Sequence, residues 1–313
     1  MANHSRLGAD RGFARFCWGV LAYNLFVVVW GAFVRASGAG AGCGSHWPLC
    51  NGEVVPRAPA IETLIELGHR LTSGVALLLV IAMVYFAWRR YPARHRVRSA
   101  AAASLFFIIT EALIGAGLVL LELVADDASS ARGFWVTGHL VNTFLLIAAL
   151  TLTAWWASGA PAIAPRRHAA LAILFAIALA GMLLLGASGA VTALGDTLFP
   201  VATFAEGKEM TFAPDAHLFV RLRIWHPTLA LVVGALVAAT ATAAVKWRDE
   251  PLQRRLAGAT VAVLVVQLLL GLANMWLLAP IPLQLAHLLL SDLLWILLIL
   301  LAASALSAEP ASS

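Results

Sequence analysis

Eight stretches of the sequence are long and apolar enough to cross a membrane, and no other feature limits the fold as strongly. A hydrocarbon core of about 30 Å requires about 20 apolar residues in a helix. With 61% of its residues hydrophobic and only 12% charged, the chain is too apolar for a soluble domain. The sequence therefore predicts an all-α membrane protein of eight transmembrane helices. The predicted spans are 13–35, 62–88, 99–123, 134–157, 168–189, 219–246, 255–279 and 282–305.

Charged residues in the connecting loops predict the orientation of the chain. Basic residues cluster after the second, fourth and sixth spans, whereas the alternate loops are acidic. Because cytoplasmic loops carry an excess of Lys and Arg, both termini are expected in the cytoplasm of a bacterium, with the chain in its inner membrane. We interpret the net charge of +5 as this topology signal rather than as a nucleic-acid surface. The basic loop residues are Arg89, Arg90, Arg94, Arg96, Arg98, Arg166, Arg167, Lys246, Arg248, Arg254 and Arg255.

The first apolar run is expected to remain as a helix of the protein. It extends from Phe13 to Phe33, which is long enough to span, and no small-residue cleavage site follows at the distance of a signal peptide. We therefore expect no cleaved leader.

An internal repeat divides the eight spans into two groups of four. His69 and Gly115 are 46 positions apart, and His226 and Gly271 are 45 positions apart. Such similar spacing predicts two pseudo-repeated four-helix bundles, and both have the same orientation because four helices return the chain to its starting side. The predicted halves are 1–158 and 159–313.

Four of the nine histidines lie inside predicted spans, each about five to eight residues into an even-numbered helix. At a rise of 1.5 Å per residue, all four lie about 10 Å below the outer surface. An ionisable side chain is costly in a membrane and usually faces the interior of a bundle. Because neutral imidazole is an axial ligand of haem iron, the pattern predicts haem held between facing helices. These residues are His69, His139, His226 and His287.

Other interpretations of the histidines remain open at this point. Hydrogen bonds between helices or a proton relay would also bring histidines into spans. Zinc is disfavoured because no cluster of cysteines or carboxylates completes a tetrahedral site. A bundle of the cytochrome b kind, with two haems at different depths, is disfavoured because each helix carries one histidine at a common level.

The two halves differ beside their histidines. Glu66 precedes His69 by three residues and shares its helix face, whereas Arg223 occupies the matching position before His226. Glu66 is therefore predicted to act as a proton acceptor or charge stabiliser, and Arg223 to hold a haem propionate. The alternative for Glu66 is a carboxylate that merely ends the helix at the membrane surface. Propionate binding or simple snorkelling is open for three further arginines, Arg35, Arg70 and Arg221.

Two further groups have several interpretations. Cys43 and Cys50 lie in the first outer loop, where an oxidising compartment favours a disulfide or a redox-active pair over idle thiols. Glu111, which aligns with Gln267 in the repeat, and Asp292 are acids inside spans. Each suits a proton path or a hydrogen-bonded contact between helices.

Three segments resemble the signature of the heme A synthase family. Residues 31–43 read GAFVRASGAGAGC, residues 47–52 read WPLCNG, and residues 65–70 read IELGHR. The first two are similar to the family's V-R-x-[ST]-G-S-G run that leads into C-x(6)-C with W-P-L-C-x-G. The third is similar to its I-E-x-x-H-R motif. The resemblance covers nearly the whole chain, and the other three span histidines fall where the family places its haem ligands.

The resemblance implies an enzyme that oxidises the C8 methyl of heme O to the formyl group of heme A, which serves terminal oxidases. It implies that His69 and His139, with Glu66, form the substrate haem site. His226 and His287 would bind a haem b that passes electrons. Cys43 and Cys50 correspond to the family's outer-loop pair, structural or electron-relaying, and a heme O synthase and terminal oxidase assembly are the implied partners. The alternatives are a di-haem b electron-transfer protein and a haem carrier without turnover.

The sequence departs from the family pattern in three places. The later outer loop has no second cysteine pair, which excludes any mechanism that needs both pairs. Pro227 follows His226 where the repeat mate of that position is Arg70, so the propionates of the second haem are expected to be held differently. The segment 187–200 is expected to form a loop typical of a subtype of the family.

Overall fold

Eight membrane-crossing helices make up most of the computed structural model, which describes residues 10–307. The predicted cytoplasmic termini, at 1–9 and 308–313, lie outside the described residues, as does the side chain of Arg167. The ten helices of the described part are α1 (Arg11–Ala36), α2 (Ile61–Arg90), α3 (Arg96–Leu120), α4 (Ser130–Ala157), α5 (Ala169–Leu198), α6 (Phe204–Phe212), α7 (Leu218–Leu222), α8 (Trp225–Trp247), α9 (Pro251–Trp276) and α10 (Ile281–Ala305). This part of the chain has no β-strand.

The span prediction is confirmed in number and near position. Each predicted stretch coincides with a helix long and apolar enough to cross a membrane, the sixth being Leu218–Trp247, which includes α7 and α8. Side-chain caps set several of the beginnings, because they satisfy N–H groups that have no partner inside the helix. Asp10 accepts from the Phe13 N–H at 3.1 Å, and Ser129 accepts from the Arg132 N–H at 3.2 Å. The chain is therefore a multi-pass, all-helical membrane protein.

The prediction for the fifth span and the segment after it was wrong. The predicted end at residue 189 was placed at a glycine, but α5 continues to Leu198. Residues 190–198 contain no proline and only one further glycine, Gly195, so the helix continues through them. It stops just before Pro200, which disfavours helical backbone in the residue preceding it. A short unpredicted helix, α6, then begins where the Thr203 hydroxyl accepts from the Glu206 N–H at 3.1 Å.

Helices α4 and α10 form the centre of the bundle. In each, 61% of the membrane window is buried, against 33% or less in every other span. The Trp295 indole of α10 donates to the Phe144 carbonyl of α4 at 2.7 Å, in a fully buried contact between the two. The outer spans expose large apolar side chains such as Leu78 and Leu231, as lipid-facing helices do. Two of the four span histidines, His139 and His287, are thus on central helices.

Arg35 joins three helices inside the bundle. From α1 its guanidinium donates to the Ala193 carbonyl at 2.9 Å and the Thr197 hydroxyl at 2.6 Å, both on α5. It also donates to the Gln284 side chain of α10 at 2.9 Å. Since Arg35 belongs to the first predicted half and all three partners belong to the second, this side chain holds the two halves together at one point.

Candidate functional site

The four span histidines line one cavity. The cavity has a volume of about 1890 Å³ and lies toward the end of the bundle that carries the Cys43–Cys50 loop, here called the disulfide end. Pockets for drug-sized ligands measure about 300–1,000 Å³. The space is therefore large enough for ligands considerably bigger than one small metabolite, and its walls are mainly apolar side chains.

Each histidine ring packs against a glycine on the preceding membrane span. A methyl group added at these glycines would lie 2.8 Å from His69 Cε1, 3.6 Å from His139 Nε2, 2.9 Å from His226 Cε1 and 3.1 Å from His287 Cε1. Three of these distances are shorter than ordinary carbon contacts, so only glycine lets the ring approach the neighbouring helix this closely. The glycines are Gly31, Gly115, Gly189 and Gly271, in the same order as the histidines.

The pair in the later half of the chain has the separation of two ligands on one metal. The ring centres of His226 and His287 are 6.4 Å apart, with an angle of 77° between the ring planes. Two opposed metal–nitrogen bonds of about 2.0 Å, with each ring centre beyond its nitrogen, span a distance of this order. Within residues 10–307, no group of three or more His, Cys, Asp or Glu side chains is placed to hold a bare ion. A macrocycle that supplies the remaining ligands fits such a pair.

Two histidines have a polar side chain close to Nδ1. His139 Nδ1 lies 2.8 Å from Glu111 Oε1, and His226 Nδ1 lies 3.0 Å from the Ser188 hydroxyl. The buried Nδ1 atoms of His69, His139 and His287 make no hydrogen bond. Glu111 is close to His139 but is not aligned with its ring N–H. Buried polar atoms normally find partners, so three such ring nitrogens in one cavity are consistent with rings that reorient when a ligand binds.

Glu66 is buried and holds the disulfide loop to α2. Its side chain is paired with Arg70 one turn later, and its second oxygen accepts from the Cys43 N–H at 2.8 Å. Arg70 also donates to the carbonyls of His46 and Leu49, each at 2.6 Å. Because Glu66 is only 3% exposed and lies inside α2, the alternative of a carboxylate that merely ends the helix at the surface does not describe it.

The outer-loop cysteines form a disulfide. Cys43 and Cys50 are bonded to each other and almost fully buried, so the loop between them is closed against the end of α2. This confirms the expectation of a disulfide rather than two idle thiols.

The four arginines predicted to bind propionates have different surroundings. Arg35, Arg70 and Arg223 line the cavity, whereas Arg221 is exposed, donates to the Pro214 carbonyl at 3.0 Å and is not among the lining residues. The guanidinium of Arg223 lies 2.9 Å from Asp196 and donates to the carbonyls at the end of α5. The structure therefore brings three of the four to one place.

Comparison with known proteins identifies the family. The chain matches the COX15-CtaA family, described as cytochrome oxidase assembly protein, over residues 14–299. It is also 46% identical over 96 residues to a heme A synthase of Shouchella clausii and 45% identical over 96 residues to one of Bacillus cereus. The chain belongs to the heme A synthase family. The resemblance carried by the three sequence motifs is thereby confirmed.

Relatives of this heme A synthase family member differ in how much of their length they share with it. Each of the two heme A synthases is matched over 31% of this chain and about a third of its own length, 32% and 31% respectively. A protein of Thermus thermophilus named protoheme IX farnesyltransferase is 48% identical over 293 residues, which is 94% of this chain and 48% of that relative. The chain thus spans about half the length of the Thermus protein.

Two basic residues of this heme A synthase family member line the cavity although the sequence did not single them out. Arg132, near the beginning of α4, is 4% exposed and donates to the carbonyls of Ala125 at 2.6 Å and Asp127 at 2.7 Å. Lys208 reaches the cavity from α6. Arg132 had a usable signal, since it is a basic residue one to two turns before a span histidine. Lys208 had none, because α6 itself was not predicted.

Proposed function

We propose that the chain is a membrane oxidoreductase that oxidises the C8 methyl of heme O to the formyl group of heme A. The observation that carries the proposal is that four histidines line one large cavity and that the buried carboxylate of Glu66 stands three residues before His69, where Arg223 stands before His226. Membership of the heme A synthase family supports the same activity. The activity requires a haem substrate, a second haem for electrons and a group that manages protons.

The proposal assigns one haem site to each half of the chain, 1–158 and 159–313. The glycine–histidine contacts support this division, since the same arrangement recurs between α1 and α2, α3 and α4, α5 and α8, and α9 and α10. Four recurrences in chain order agree with two pseudo-repeated four-helix bundles. His69 and His139 would hold the substrate haem, and His226 and His287 would hold haem b.

Haem bound in this way would supply iron for oxygen chemistry at the first pair and for electron transfer at the second. The protein's own contribution at the first site is orientation and charge. Glu66 is held by Arg70 and the Cys43 N–H, so its carboxylate has a fixed position beside His69. There it would accept protons or stabilise positive charge as the substrate methyl is oxidised. The disulfide loop lies at this end of the cavity, which it lines with Trp47, Pro48 and Leu49.

Basic side chains at the disulfide end would hold the haem propionates. All four of Arg35, Arg70, Arg132 and Arg223 line the cavity. Arg70 and Arg132 suit the first site, because they lie on the helices of His69 and His139. Arg35 and Arg223 suit the second, because Arg223 precedes His226 and Arg35 donates to α5 and α10. Guanidinium groups bind carboxylates through paired hydrogen bonds. Arg221 is the weakest of the predicted candidates, because it donates to a loop carbonyl outside the cavity.

The proposed surroundings are a bacterial inner membrane, with cytoplasmic termini, a heme O synthase as supplier and terminal oxidase assembly as destination. The Thermus relative supports the supplier, because a protein named protoheme IX farnesyltransferase includes a segment similar to 94% of this chain. The acidic loops between odd and even spans and the basic loops elsewhere support the orientation.

The test is to express the chain with a heme O source and to identify the extracted haems by mass. Wild type should yield hydroxylated haem and heme A, while Glu66→Gln should retain bound haem and lose most of the product. Glu62→Gln is the matched control, since Glu62 is exposed on the same helix. Bound heme O without any product in wild type would instead support a haem carrier. Two unmodified haems that exchange electrons would support a di-haem electron-transfer protein.

A further inference from the structure

Glu111 is held in one position beside His139. Its Oε1 atom lies 2.8 Å from His139 Nδ1, and its carboxylate also accepts from the Thr143 hydroxyl and the Asn142 amide. The Asn142 amide in turn donates to the Phe107 carbonyl at 2.9 Å, and the Thr110 hydroxyl donates to Asn142 at 2.7 Å. With this many partners, the carboxylate is fixed in both position and direction.

The corresponding position in the later half carries an amide. Gln267 precedes Gly271 by four residues, as Glu111 precedes Gly115, and those two glycines back the rings of His287 and His139. The Gln267 amide nitrogen lies 3.3 Å from His287 Nε2, and its carbonyl oxygen has no partner. The two halves therefore place an anionic group beside Nδ1 of His139 and a neutral group beside Nε2 of His287, the matching histidine.

A carboxylate on the outer nitrogen of a metal-binding histidine changes the ligand. It fixes the tautomer with hydrogen on Nδ1, orients the ring and makes Nε2 more basic. A more basic axial ligand stabilises ferric over ferrous iron and so lowers the reduction potential of a haem. A neutral amide supplies no such charge.

We propose that Glu111 is a positioning residue that makes His139 a strongly basic axial ligand, and that the Glu111–Gln267 difference separates the reduction potentials of the two haems. The first-half haem then has the lower potential and the second-half haem the higher. This inference rests on the proposed function in one respect, that both histidine pairs bind haem.

The test is an optical redox titration of the purified full-length chain loaded with haem, with haem content measured on each sample. Glu111→Gln should change the ferric-to-ferrous ratio of one haem about tenfold at fixed potential, equivalent to an upward shift of about 59 mV. The other haem should be unaffected. Gln267→Glu is the matched reciprocal variant and should lower the midpoint potential of the second-half haem. Glu111→Asp keeps the carboxylate, so its first-half midpoint potential should be closer to that of wild type than the Glu111→Gln value is.

The outcomes separate this inference from the proposed function. Two bound haems with both midpoints unchanged in Glu111→Gln would overturn the role of Glu111 and leave the proposed function standing. A wild-type chain that binds no haem at the first pair would overturn the proposed function itself. If Glu111→Gln fails to fold, Gln267→Glu decides alone, and an unchanged second midpoint in that variant counts against the inference.

Discussion

The carboxylate of Glu66 accepts a hydrogen bond from the backbone N–H of Cys43 at 2.8 Å. One oxygen of a residue on α2 therefore sets the position of the disulfide loop, while the other is paired with Arg70. Because the disulfide loop and the first-half site both depend on the Glu66 side chain, a change in the structure of one is expected to disturb the other.

Opening the disulfide should disturb the site beside it. Replacing both Cys43 and Cys50 by serine frees a loop with a sequence separation of 7, a constraint worth about 2 kcal/mol on chain-entropy grounds. We expect a lower melting temperature and a partial loss of product, with haem retained at the second pair. Reductant should produce the same change in wild type and none in the double variant. A reductant effect of equal size in both proteins would show that another group is responsible.

Alanine at the glycines behind the histidines should displace the rings in a graded way. Gly31→Ala and Gly189→Ala put a methyl group 2.8 Å and 2.9 Å from a ring carbon, so each should cost about 1–3 kcal/mol and lower the haem content of its own site. Gly115→Ala, with 3.6 Å to the ring, should have a smaller effect.

Gly138→Ala is the control for this series, since the added methyl group would meet no neighbouring helix or side chain within 4 Å apart from its own chain neighbours. The haem-to-protein ratio, measured for each of the four variants, tests the predicted order of haem loss. Equal haem loss in Gly115→Ala and Gly31→Ala would contradict the steric explanation.

Arg35→Lys should weaken the contact between the two halves. The substitution keeps the charge but removes the planar group that reaches α5 and α10 together, and hydrogen bonds from charged groups contribute about 1.5–3 kcal/mol each. We expect a clear fall in thermal stability in detergent and a weaker second-half haem signal. Arg221→Lys, at an exposed arginine outside the cavity, should melt like wild type.

Asp292→Val should raise the melting temperature. Asp292 is fully buried in α10, and both of its carboxylate oxygens have no hydrogen-bond partner. A buried polar group without a partner destabilises the fold, so an apolar side chain of similar size should relieve part of that cost. Thermal unfolding in detergent checks this, and Ser304→Val, which breaks the existing bond to Gln253 at 2.8 Å, should act in the opposite direction. A large fall in stability in Asp292→Val would mean that the carboxyl has a partner in the membrane.

The sequence predicts the spans well because each is a long apolar run bounded by charge. The end of α5 could not be predicted in the same way, since Gly189 marks a ring contact inside the helix and not a turn. A glycine in an apolar run is compatible with either role, and only the neighbouring helix distinguishes them.

Within the site, the sequence predicts which residues take part better than it predicts which side chains they contact. The pairing of Glu66 with Arg70 follows from their spacing of one helical turn, which is visible in the sequence. The contact of Arg35 with Ala193 and Gln284 depends on how distant helices pack, for which a single sequence has no signal.

The central position of α10 has a consequence for assembly. This helix follows the other seven spans in the chain, and it supplies both His287 and the Trp295 that bonds to α4. Until α10 inserts, His226 has no partner histidine and α4 lacks its contact with Trp295. We therefore expect that the pigment of the second pair enters late, after translation of α10, and that chains truncated before α10 lack it.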